Sequence, residues 1–465
     1  MTVTKNPGLG YVKETKGSYG NTTVPNSGNN NLRVLRLVSE DYNTAFQRDE
    51  SNEVRNDAQS SGSVIVSANV GGSLQLQYSL DTYDDFLVGL LYADDDSVVT
   101  REDGWTSAGF TPLADVTTAD EAVTFEVSDS SLNHGTGWDR TPAEGEIIFA
   151  TGFGNKNLDT VFRVGASPTS TKITLVNDTG EASVAAYAGL SSDLAGTAVR
   201  IYAVRGYTRN STYERSFQVV RFYSDTSLAG TTSTTGLDST DWALFRGMIP
   251  NSLQLAVAPG QAGWTGTMSF IGKDEQIIDD ATSAAVGGFD VQNWNEAVIA
   301  NSNPLANAIQ SVVMVRLLRN GLAETNAVRV DPLSFSMNVA NNAQEVSATR
   351  NLGAIAINQQ TFSASVQMSL LYIDSTYHAG MLADDFYEVE IAVADADGRC
   401  QLWRFPKARY VSERPNPGRN NPVAQNLTFT AEAGGAPYDA SDGAGYGTAG
   451  TARMVEVLSF YQRSA

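Results

Sequence analysis

The sequence predicts an all-β protein: two tandem β-sandwich domains, each with a short flanking helix, plus a small inserted β-barrel-like domain. Three observations carry this. Segments 73–78 and 365–370 alternate strictly, with Leu74, Leu76 and Tyr78, or Val366, Met368 and Leu370, on one side and Ser or Gln between them. That is the period of a half-buried strand. The 41 glycines, with abundant Ser, Thr, Asn and Val, suit many short strands joined by turns. The third observation is a long-period repeat, which decides the architecture before any local reading does.

Residues 52–91 recur at 344–382. Glu53-Val54 returns as Glu345-Val346, Gly62-Ser63-Val64-Ile65-Val66 as Gly353-Ala354-Ile355-Ala356-Ile357, and Thr82-Tyr83 as Thr376-Tyr377. Gly89-Leu90-Leu91 returns as Gly380-Met381-Leu382. The offset stays between 291 residues (Gly62 to Gly353) and 294 (Tyr83 to Tyr377), which chance similarity between two β-rich stretches does not maintain. Each copy reads as an extended arm, a hairpin and a short helix. In the first, an Asp81 or Thr82 cap and the early acids Asp84 and Asp85 precede Phe86, Leu87, Leu90 and Leu91 at helical spacing.

A chain of 465 residues is too long for one ordinary core. The 31 Lys and Arg against 52 Asp and Glu leave a formal charge of −21, the wrong sign for gripping a phosphate backbone. Cys400 is the one cysteine, so no intrachain disulfide forms, and it reads as a small buried hydrophobe. No run approaches the roughly 20 apolar residues that span a bilayer, and the first residues lack an apolar signal core, so the expectation is a soluble protein made in the cytosol.

In chain order, residues 1–30 are rich in Gly, Asn, Thr and Ser and read as an arm that orders only against a neighbour. Strand 32–37 opens the first domain, assigned to 31–121 and 199–280. Residues 122–198 have no counterpart in the second copy. Their short strands (123–127, 145–149, 161–164, 172–176) between turns describe a small β domain inserted in a surface loop. Strands 216–223, 251–257 and 265–272 complete the first domain. A linker, 281–325, includes a possible helical turn at 303–308. The second domain, 326–465, runs without insertion through strands 387–393, 400–405, 427–431 and 454–460.

Catalytic constellations are absent. His134 and His378 are the two histidines, and His378 falls where the first copy has Asp84, which does not suit a general base. Adjacent acids are expected among 52, and they miss calcium-loop spacing. Asp395-Ala396-Asp397-Gly398 lacks the later glutamate and reads as a hairpin turn. The expectation is no catalytic, cofactor or metal site.

Residues 304–432 resemble the second half of a siphophage major tail tube protein. The resemblance lies in Asn341-Asn342, in Arg350-Asn351-Leu352-Gly353 leading into the hairpin, in 394–398, and in Phe405-Pro406-Lys407-Ala408. Phe245-Arg246-Gly247-Met248-Ile249-Pro250-Asn251 with 270–274 is similar to the pattern closing that family's first tube domain, and 11–17 to its N-terminal arm. The resemblance implies sandwiches polymerised into stacked rings around a lumen for the genome. It also implies a tape-measure protein and tail terminator or distal tail proteins as partners, with DNA passing unbound, and the inserted domain outside. Arms in that family contact neighbours; the matching residues here are Gln47, Glu53, Arg55 and Gln59 in the first copy, and Asn341, Asn342, Glu345 and Arg350 in the second.

Rings of that family hold six sandwich domains, so two per chain imply a homotrimer of pseudo-sixfold symmetry. Four strands per domain at about 4.8 Å spacing and about 40° tilt give a barrel roughly 48 Å across. Acids and neutral Ser, Gln and Thr are expected on its inner wall, where cations would act as a brake. The alternative is a carbohydrate-binding tail decoration or adhesin protein, which requires exposed aromatics such as Trp138, Trp264 or Trp294.

Overall fold

The computed structural model describes residues 5–14, 20, 32–50, 62–93, 123–126, 147–151, 160–164, 172–176, 200–209, 214–225, 242–258, 260, 261, 263–278, 304–307, 311–319, 328–348, 351–371, 379, 380, 382–395, 399–412, 423–433 and 454–461. Among them the chain is almost entirely antiparallel β.

The strands begin with β1 (Lys5–Lys13), β2 (Arg33–Val34), β3 (Ser39–Glu40), β4 (Asn43–Glu50) and β5 (Ser63–Gln77), followed by helix α1 (Asp84–Leu90). Next come β6 (Val123–Glu126), β7 (Ile147–Thr151), β8 (Thr160–Val164), β9 (Lys172–Val176) and β10 (Arg200–Arg209). Then β11 (Phe217–Asp225), β12 (Trp242–Val257), β13 (Thr265–Gly272) and β14 (Asp274–Ile278) return to the first unit. The second unit has β15 (Val312–Arg319), β16 (Val328–Arg329), β17 (Ser334–Ala340), the short pair β18 (Gln344–Val346) and β19 (Ala356–Asn358), and β20 (Ser363–Leu371). It ends with β21 (Phe386–Ala394), β22 (Arg399–Ser412), β23 (Ala424–Ala431) and β24 (Glu456–Tyr461).

Two layers repeat in the same order. One layer of the first unit runs β2–β1–β11–β12–β14, using the N-terminal half of β12. Its counterpart runs β16–β15–β21–β22–β24. A bulge recurs at the same place: the register slips between Phe217 and Val219 on β11, and between Tyr387 and Val389 on β21. The facing layer runs β3–β5–β13–β12 in the first unit and β17–β20–β23–β22 in the second. These long strands, β12 and β22, therefore belong to both layers of their units.

The two facing layers are joined edge to edge, since β12 pairs with β17 from Ser252↔Ala340 to Val257↔Phe335. One continuous sheet results, with four strands from each unit. The strands β7–β8–β9–β6 attach through β10 to β24, so the inserted segment extends the second unit's other layer.

Alternation in sequence explains the core. Leu74, Leu76, Leu253, Leu255, Met268, Phe335, Met337, Val339, Val366, Met368, Phe429 and Tyr410 are all buried on one face. Helix α1 closes the first sandwich by inserting Phe86 between Tyr11 (ring centroids 4.6 Å apart), Phe217 (4.8 Å) and Phe270 (5.2 Å). Burying such a ring contributes about 1.5–3 kcal/mol. Asp85 in its first turn receives Lys13 (2.6 Å), Arg33 (2.9 Å) and the Tyr11 hydroxyl (2.8 Å). At Gly71 and Gly72 β5 passes so close to its neighbours that a Cβ would lie 2.7 Å from the Phe270 carbonyl oxygen and 2.5 Å from Tyr42 Cα.

Several expectations change. Neither Asp81 nor Thr82 caps α1; Tyr83 is its N-cap, without a side-chain cap bond, and the Thr82 hydroxyl meets that of Ser79 at 2.7 Å. Of the second copy's helix the described residues 379, 380 and 382–385 show one turn, with Ala383 N–H donating to the Ala379 carbonyl (3.0 Å) and Asp385 N–H to that of Gly380 (3.0 Å). Within 1–30, residues 5–13 form β1, paired along its length with β11. Gly10 sits mid-strand where β1 lies between β2 and β11, so glycine content was no guide to disorder there. Strand 32–37 reduces to β2, and the 303–308 turn is instead an isolated bridge of Leu305 to Ser79. The expected linker contains β15, an outer strand of the second unit.

Candidate assembly surface

The side of the continuous sheet away from the core is polar. The register places Ser39, Gln75, Thr267, Gln254, Asn338, Ser365, Thr430 and Arg409 in one row across it. The adjacent row reads Gln77, Thr265, Ala256, Ser336, Gln367, Thr428 and Val411. Neighbours on this face bond to one another: the Thr267 hydroxyl donates to Gln75 Oε1 at 2.8 Å, and the Ser252 and Ser269 hydroxyls meet at 2.6 Å.

Among the described residues, the strands from β5 to β23 carry no Asp, Glu, Lys or Arg on this face. The expected acids are missing from it. Alternation fixed the polar class of these residues, while the negative charge of the chain lies elsewhere. Asp41 and Arg409 stand at opposite edges of the face. Exposed Asp41 follows β3, with its carboxylate accepting from the Ser73 hydroxyl at 3.0 Å, and Arg409 is on β22.

The arms differ from each other. In the second unit, the described residues 341–348 and 351–358 cross onto the first unit of the same chain. Asn341 is fully buried; its backbone N–H donates to the Asn251 carbonyl (2.8 Å) and its Nδ2 to that of Pro250 (3.0 Å). Asn342 takes a left-handed backbone (φ 51°), which an asparagine tolerates, and its Nδ2 donates to the Thr361 carbonyl at 2.8 Å. The Ala343 N–H donates to Asn251 Oδ1 (2.8 Å), and the Leu352 carbonyl accepts from Ala68 N–H (2.8 Å). Ala343 and Ile357 bury against Tyr92 and Ile249. Glu345, on β18 opposite Ile357, has its carboxyl raised by burial.

Gln47 belongs to the other arm, the β4–β5 hairpin, where its side chain is exposed and accepts from the Ser67 hydroxyl at 3.0 Å. Phe46, Val64 and Val66 on that hairpin are more than half exposed. Thus the structure brings Asn341, Asn342 and Glu345 together and leaves Gln47 apart. Glu53, Arg55, Gln59 and Arg350 lie outside the described residues.

Sequence reading missed the group on the second unit at the place where the first receives its arm. Tyr92, with φ 48°, has its counterpart in Asp384, with φ 57°. Ile249 faces Ile271 as Lys407 meets Glu432, whose N–H donates to the Lys407 carbonyl at 2.8 Å. Arg409 bridges Asp384 and Glu432, while Lys407 and Arg409 lie over the Phe386 ring at 4.3 and 4.7 Å. An apolar socket in one unit is a charged one in the other. Of this group, Asp384 was read from sequence as one of an adjacent acidic pair and Lys407 within 405–408, and no local pattern marks a socket assembled from three strands.

Among the described residues no three His, Cys, Asp or Glu side chains gather as metal ligands. Arg399 binds back to Asp395 at 3.0 Å, closing the β21–β22 connection, and Cys400 is buried with its thiol pushed up by desolvation. Trp264 is fully buried and stacks on Tyr78, which removes it from any exposed aromatic patch. Trp138 and Trp294 lie outside the described residues. No described helix is long and apolar enough to cross a membrane.

A duplicated antiparallel scaffold, with an uncharged polar sheet face and arms that cross between units, defines a structural protein built for association. The chain belongs to the phage tail tube protein family, whose model matches residues 5–431. No curated protein matches it. It is accordingly a non-enzymatic component of the virion tail that self-assembles into a tube.

Proposed function

We propose that three copies close into a ring, each bringing its two tandem tube units (β1–β5, α1 and β11–β14; then β15–β24), and that stacked rings form the conduit for DNA ejection. The observation that carries this is the continuous sheet through β12 and β17, which sets the two units of one chain side by side. Three such sheets complete a barrel of pseudo-sixfold symmetry and remove the open edges that otherwise invite aggregation.

The polar face then lines the lumen. Ser, Thr, Gln and Asn give passing phosphates no cation to exchange for counterions, so the polymer slides. Synthesis in the host cytoplasm, a tape-measure protein inside the growing tube, and terminator and distal tail proteins at its ends complete this reading. Strands β6–β9 lie on the outside in this reading, since they continue the layer that turns away from the polar face.

Negative-stain microscopy of the purified chain tests the proposal. Rings or tubes with threefold rotational averages are expected; particles that stay open or show another symmetry would overturn it.

A further inference from the structure

One row of charge runs across β15, β21, β22, β24 and β10. The register sets Arg316 opposite Glu390, Glu390 opposite Arg404, Arg404 opposite Glu456, and Glu456 opposite Arg209. The signs alternate over these strands and stop at β16, where Arg329 stands opposite Arg316. The same row in the first unit is Val34, Gly10, Val220, Leu244 and Gln276, without a charge. Arg209 with Glu456 is also the one charged pair in the β10–β24 ladder. Arg205 falls in its bulge, Arg200 stands opposite Thr151 of β7, and β24 holds no other Asp, Glu, Lys or Arg.

Strand β10 leads into β11 of the first unit, where β14 is the counterpart of β24. It bonds instead along β24 of the second unit. We propose that the alternating row makes this choice, and that β10 thereby clamps the two units together. Opposite charges at directly opposed positions favour a strand pairing, and Gln276 offers Arg209 none. Asp274, two residues away, is already held by the Arg246 guanidinium through both oxygens at 2.7 Å. Reaching Glu275 would need a slip of one residue, which turns a strand over. Deeper in the row the Arg316–Glu390 pair is buried at 3.0 Å, and the best-attested use of such buried charge is to fix which elements meet and in what register.

The consequence is mechanical. The β12–β17 junction joins the units through one layer, and the β10–β24 junction joins them through the other. Rotation about either line of backbone bonds would break the other line, so the inserted segment holds the angle between the units. This clamp acts within one chain, whether or not rings form.

Hydrogen exchange and spin-label distances on dispersed protein test it. Glu456→Gln, which installs the first unit's residue, and Arg209→Gln should each speed exchange of the β10 amides by about five-fold while β12 and β17 keep their protection. Glu456→Asp and Arg209→Lys should keep wild-type protection. Nitroxides on Val38→Cys and Leu382→Cys, both exposed and in different units, should give a narrow distance distribution that either Gln variant broadens. Cys400 is buried and stays unlabelled. Unchanged β10 protection in the Gln variants, faster exchange that extends to β12 and β17, an equal loss with Asp and Lys, or a distribution that does not broaden would each overturn the clamp.

Discussion

In the second unit, β15, β21 and β22 place Arg316, Glu390 and Arg404 in one row; the first unit has Gly10, Val220 and Leu244 there. Arg316 Nη1 meets Glu390 Oε2 at 3.0 Å with both side chains under 4% exposed. Arg404 Nε lies 2.6 Å from Glu388 and 3.6 Å from Glu390. Changing Arg316 to Met takes the 3.0 Å ion pair away from Glu390, in a site almost without water. Breaking a buried pair in this way costs about 3–5 kcal/mol. For a unit of this size that lowers Tm by about 10 °C, at roughly 2–4 °C per kcal/mol. Adding Glu390→Val, the first unit's residue, removes the stranded charge and keeps Arg404 with Glu388, so the double variant should return to within about 1 kcal/mol of wild type. Urea unfolding of dispersed protein, supported by calorimetry, measures the cycle. A single variant costing under about 1 kcal/mol, or a double variant costing the sum of its parts, would refute the reasoning.

Burial pushes the Glu388 carboxyl up to about 7 despite Arg404, with Glu390 adding to the rise and Arg316 opposing it. A raised carboxyl pKa means the folded state holds a proton that the unfolded state has released, so stability should fall as pH climbs from about 4.5 through 7. Glu388→Gln should flatten that part of a stability–pH profile, and an unchanged slope would count against it. Gly72→Ala forces a Cβ onto the backbone of Tyr42, so it should cost more than the roughly 0.5–1 kcal/mol by which alanine ordinarily differs from glycine, in the opposite sense. Denaturant midpoints decide this, and a Gly72→Ala variant as stable as wild type would count against the close approach. Gln254→Lys with Asn338→Lys adds cations to the uncharged face. Assembled protein should then retain double-stranded DNA in co-sedimentation at low salt, and release it as salt rises, where wild type retains none.

Strand-period alternation and the repeat of 52–91 at 344–382 were legible because each depends on the local order of residues along the chain. The same locality shows why other readings failed. Residues 5–13 look loose by composition, but their backbone is held by β11, more than 200 residues later. Thr82 has the chemistry of a cap, yet Ser79 takes its hydroxyl. Of the arm residues chosen from sequence, Asn341 proved a fully buried anchor, while Gln47 is exposed on a different hairpin.

The sequence by itself determined that Gln75, Gln254, Asn338 and Thr430 would turn to a polar side, because neighbouring side chains on a strand must point opposite ways. Only the tertiary structure decided that they stand in one row, that Arg409 and Asp41 terminate the sheet at its two ends, and that one socket is apolar and the other charged. Those facts depend on which strand meets which, and at what register. Hydrogen bonds between distant segments set them, and every strand offers the same backbone donors and acceptors to any partner.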